Sequence, residues 1–93
     1  MTPAAFITRY PEFETTDPDL VSAVLAEVGF GLDPTVYGLR FDAAHGALTA
    51  HRLWMSPAGV SLRGDSTQTD TSDYLKAFQQ VRREVTIGFA VIT

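Results

Sequence analysis

No cysteine occurs among the 93 residues. This excludes disulfide staples and thiolate metal sites, and it suits an intracellular setting. Cations are few: seven Lys and Arg stand against eleven Asp and Glu, for a net charge of −4 and a pI near 4.8. They are also scattered, with Arg82 and Arg83 the only adjacent pair. Tight nucleic-acid binding needs clustered Lys and Arg to neutralise phosphates, so it is disfavoured. Long apolar runs are missing too, none approaching the roughly 18 residues that span a bilayer. The opening MTPAAFITRY lacks the charged start and apolar stretch of a signal peptide. A soluble chain without membrane association is expected.

Catalytic patterns are equally sparse. There is no G-x-S-x-G, and Ser56, Ser61, Ser66 and Ser72 lie where turns and caps are expected. Gly29, Phe30 and Gly31 lack the rest of a phosphate-binding fingerprint. Asp65, Asp70 and Asp73 do not have the spacing of an EF-hand loop and read as a solvated acidic stretch. His45 and His51 are six apart, which places them on different helix faces and precludes an i, i+4 metal pair. His51 falls on an apolar stripe and reads as a hydrogen-bonded structural histidine. Asp42 and His45 read as an exposed polar pair, two ligands being too few for zinc. No catalytic residue, cofactor-binding residue or metal ligand is assigned, and no enzymatic activity or cofactor is expected.

What the chain does have is 45% hydrophobic residues in a length that makes one domain, residues 1–93. So small a core leaves a thin margin, which favours burial against other subunits. Thr2 and Pro3 start a short helix carrying Phe6 and Tyr10, and Pro11 ends it. Glu12 to Thr16 is then a linker. Asp17 and Pro18 start a second helix, with Leu20, Val24 and Val28 as its stripe, flanked by Val21 and Leu25, and Gly29 and Gly31 as its stop. Asp33 and Pro34 repeat the start signal, and the spacing of Tyr37, Phe41, Ala44, Leu48, His51 and Met55 predicts one helix to about Met55. Ala43, Ala47 and Ala50 keep its other faces slim, and Gly46 is tolerated there for close packing. Residues 58–72 form a polar arm or loop. A last helix follows, with Tyr74, Phe78, Val81 and Val85 on its apolar face.

The ending, residues 86–93, has neither charge nor proline, and Ile87, Phe89 and Val91 alternate with Gly88, Ala90 and Ile92. That period suits a strand, and an uncovered apolar strand invites a partner. Ile87, Phe89, Val91 and Ile92, with Val60 and Leu62 in the arm, are therefore the candidate partner-contact residues. The fold class expected is mainly α: a small bundle of about four helices with a polar arm and a short extended C-terminal tail.

Several segments together resemble a known family. These are F-x-x-R-Y-P-E-F from Phe6 to Phe13, L-D-P-x-x-Y-G from Leu32 to Gly38, A-L-x-A-H-R-L from Ala47 to Leu53, and the apolar ending Gly88 to Ile92. In order and spacing they are similar to the head–tail connector or adaptor proteins of tailed bacteriophages. That resemblance implies a non-enzymatic neck subunit, located in the virion at the head–tail interface and made in the bacterial cytoplasm. Its partners would be sister subunits in a ring of about twelve, the portal protein, and a downstream neck or tail protein. DNA would pass through the channel without specific binding, eased by an acidic lining. The alternative is a monomeric helical module that binds and regulates a host or phage protein.

Overall fold

Three short polar side chains begin the first three helices. Thr2 accepts a hydrogen bond from the Ala5 amide at 3.1 Å, Asp17 from Asp19 at 3.0 Å, and Asp33 from Thr35 at 2.9 Å. Each is followed by proline at the first helical position, where the missing N–H costs nothing. In the computed structural model, which describes residues 1–56 and 73–92, with backbone only from Thr86 onward, these starts give α1 (Pro3–Arg9), α2 (Pro18–Gly31) and α3 (Pro34–Tyr37). Then come α4 (Phe41–Met55) and α5 (Asp73–Ile92), with 3-10 turns at Pro11–Phe13 and Gly38–Arg40. The protein is a small, mainly helical bundle, and no strand occurs among the described residues.

The single helix expected from Pro34 to Met55 is divided. Gly38 adopts φ +52° and ψ −125°, a conformation open to glycine and strained for any residue with a Cβ. The division separates α3 from α4 and shifts the phase of everything after it. Between Pro18–Gly31 and Pro34–Met55 the chain turns by 80°.

Helix α4 is the centre of the bundle, packed by α5 on one side and α2 on another. Its buried residues are Ala44, His45, Gly46, Ala47, Thr49, Ala50 and Leu53. Small side chains make up most of this buried set; of the expected stripe, Ala44 is buried and Tyr37, Phe41 and Leu48 pack half-buried against the core. Gly46 suits a close approach: a Cβ there would lie 3.1 Å from Cε2 of Tyr10 and 3.3 Å from Cε of Met1, and both side chains would have to yield.

One core cluster joins Phe6, Phe13, Val21, Leu25, Ala50 and Leu53. Phe13, in the segment read as a linker, is wholly buried. Tyr74 of α5 covers this cluster, with ring centroids 5.7 Å from Tyr10, Phe13 and Trp54. Its hydroxyl donates to the Glu12 carboxylate, joining α5 to the first 3-10 turn. A second cluster holds Val28, Leu32 and Ala44 beneath Phe78 and Val81 of α5. The buried face of α2 is thus Val21, Leu25 and Val28, with Leu20 and Val24 half-buried at its edge.

The tail expected to be extended is helical through Ile92, as the last turns of α5. Adding a residue to an existing helix satisfies one more backbone hydrogen bond at little cost. A strand needs a partner, and an eight-residue apolar run is compatible with either period. The polar arm at 58–72 lies outside the described residues.

Candidate interaction surface

The expected contact residues divide between two regions. Ile87, Phe89, Val91 and Ile92 belong to the helical end of α5, while Val60 and Leu62 lie outside the described residues. Other residues are exposed among the described ones. Leu39 is 106% exposed and Phe30 92%, with Val36 also in water at 39%. All three lie on the corner between α2 and α4. Phe30 departs from the i, i+3, i+4 rhythm of Val21, Leu25, Val28 and Leu32, a signal available in the sequence. Leu39 could not be anticipated, because its position depends on the turn made by Gly38.

Phe30 borders an open groove of about 460 Å³ formed by α2, the start of α4 and the N-terminal residues, with Leu25, Gly29, Phe41 and His45 among its walls. A second, smaller cleft of about 200 Å³ lies between α1 and the start of α2. Pro3, Ala4, Ile7, Pro18 and Val21 line it, and so do Glu14 and Thr16.

His45, read as exposed, is buried at 5%. Its Nε2 lies 2.7 Å from the Leu25 carbonyl oxygen, and its ring sits 5.4 Å from that of Phe41. The partner expected for it, Asp42, is exposed. Nδ1 of His45 and Oγ1 of Thr49 are buried without hydrogen-bond partners among the described residues. His51 is only half-buried; partial burial, with the nearby Arg52 charge, depresses its pKa. The phenols of Tyr10 and Tyr74 shift upward, burial being the main cause in each. For Tyr74 the hydrogen bond to Glu12 adds to the shift, because it favours the protonated phenol.

The charged residues with described partners are engaged in holding helices together. Arg52 donates to Glu27 at 2.9 Å, linking α4 to α2, and Arg40 pairs with Glu84, linking the second 3-10 turn to α5. Among the described residues no three His, Cys, Asp or Glu side chains converge as metal ligands. No single helix there is long and apolar enough to cross a membrane. No family model, curated protein or solved structure matches the chain.

Proposed function

We propose that this protein is a non-catalytic assembly subunit, acting in a tailed-phage neck as one member of a ring between portal and tail components. The observation that carries the proposal is the full exposure of Leu39 and Phe30 on a corner fixed by three helices. Large apolar side chains held in water, Phe30 beside an open groove, favour burial against another protein. The resemblance in the segments around Phe6, Leu32 and Ala47 supplies the setting: a ring that extends the DNA channel. A net charge of −4 supports passage of DNA without adhesion.

The test is co-expression with portal and neck proteins of the same particle, followed by purification and electron microscopy. Ring-shaped density at the portal is the expected result. Failure to enter particles, with a stoichiometric complex formed instead with a regulatory protein, would replace the assembly role by that of a monomeric binding module.

A further inference from the structure

We propose that the 3-10 turn before α4 docks head to tail into the α1–α2 cleft of a second copy, Leu39 filling the cleft and Arg40 meeting Glu14. This rests on the assembly role above and names its contact.

The protruding half stands on a set backbone. Leu39 is 106% exposed, so it reaches none of its own molecule's cavities. Yet the turn beneath it has its backbone set by the glycine-only conformation of Gly38, and the exposed Arg40–Glu84 ion pair links it to α5. Phe41, next in sequence, packs against the second core cluster. With the backbone already set, docking orders mainly the rotamers of Leu39 itself.

The receiving half matches it in size and charge. The cleft holds about 200 Å³, enough for one branched aliphatic side chain. Pro3, Ile7, Pro18 and Val21 offer it apolar walls, and Glu14 a carboxylate. Residues 10–39 carry six carboxylates (Glu12, Glu14, Asp17, Asp19, Glu27 and Asp33) and no Lys or Arg. Arg40 is the first cation after that stretch, directly beside Leu39. Its Nη1 engages Glu84, leaving the other guanidinium donors for a second carboxylate. The larger groove near Phe30 has no carboxylate in its walls, so an arriving Arg40 would gain nothing there.

Knob and cleft occupy different parts of the molecule. The contact is therefore heterologous, and each copy that accepts a neighbour still presents its own Leu39 to the next. Repetition closes a ring or extends a filament according to the angle of each step.

Analytical ultracentrifugation of the full chain over a concentration series tests this. Wild type should form species larger than a dimer, and added salt should weaken them. Leu39→Ser, Glu14→Arg and Arg40→Glu should each weaken association about tenfold or more. Mixing the Glu14→Arg and Arg40→Glu proteins should restore it, because each contact in the alternating assembly then pairs opposite charges. Unchanged far-UV circular dichroism and melting temperature would exclude unfolding as the cause. A wild type that stays monomeric overturns the contact. So does association that persists undiminished in Leu39→Ser, or a mixture that fails to recover while Glu84→Gln, which breaks the same ion pair to α5 and keeps Arg40, still associates. Rings at the portal that tolerate Leu39→Ser would overturn this contact while leaving the assembly role intact. Absence of the wild type from particles would remove the assembly role itself.

Discussion

The Nε2 of His45 on α4 lies 2.7 Å from the carbonyl oxygen of Leu25 on α2. A carbonyl only accepts, so Nε2 carries the proton and donates it. Gly29 lies alongside the ring: a Cβ there would stand 3.4 Å from both Cε1 and Nε2, in ordinary contact. A polar clasp thus joins α2 to α4 within their packed interface.

Replacing His45 by alanine removes both the clasp and the ring packed beside Phe41. The expected loss is about 2–4 kcal/mol, combining a cavity with a lost hydrogen bond. His51→Ala, at a half-buried position, should cost less than about half as much. Urea unfolding of both variants decides the order. A larger effect at His51 would mean that the clasp contributes little.

The glycines separate by environment. Gly38→Ala should destabilise by about 1–3 kcal/mol, because φ +52° with ψ −125° strains any Cβ. Gly46→Ala gains helix propensity but presses on Tyr10 and Met1, and should come out destabilising by about 1 kcal/mol. Gly31, helical and with nothing within 4 Å of an added Cβ, should tolerate alanine with a gain of about 0.5 kcal/mol. Equal effects at the three positions, measured by thermal melts, would contradict these assignments.

Stability should fall at both ends of the pH range. Tyr74 and Tyr10 have raised pKa values when folded, so the unfolded chain loses phenolic protons first. Their contribution is present below about pH 10 and declines as pH rises beyond it. His51 is shifted the other way: the unfolded chain takes up the proton first, and stability declines as pH falls below about 6.5. Tyr74→Phe should flatten the alkaline limb and His51→Gln the acid one. Melting curves from pH 5 to 11 provide the measurement.

Removing residues 86–93 deletes the last turns of α5 and leaves in place the core-cluster residues named above, all of which precede Thr86. The truncated protein should fold, with a smaller helical signal in far-UV circular dichroism. If the uncharged ending contacts a neighbour, incorporation into particles should be lost. Normal incorporation would remove that role.

Local signals were legible in the sequence, and signals that depend on packing were not. Thr2, Asp17 and Asp33 announce helix starts because capping involves only the next few residues. Phe13 looked like part of a linker because Pro11 marks an ending, yet whether it is buried depends on Tyr74, far along the chain. His45 was read as exposed and His51 as the inner histidine for a related reason, yet His45 is the buried one and His51 is half-buried. A stripe traced through the largest side chains suits a helix with one buried face, whereas α4 is enclosed from several directions and its alanines and glycine make up most of its buried set. The candidate contact surface was the least legible part, because the exposure of Leu39 follows from one positive φ angle at Gly38. The tail's period was ambiguous, and helical continuation won where a strand would have needed a partner.

The bond from Tyr74 to Glu12 joins residues 62 positions apart, which has a consequence during synthesis. Translation proceeds from the N-terminus at about 5–20 residues per second, so Tyr10, Phe13 and Trp54 leave the ribosome well before the ring that covers them. For a second or more the nascent chain presents an uncapped aromatic surface. That interval is when a chaperone, or another nascent copy on the same message, has its best opportunity to bind.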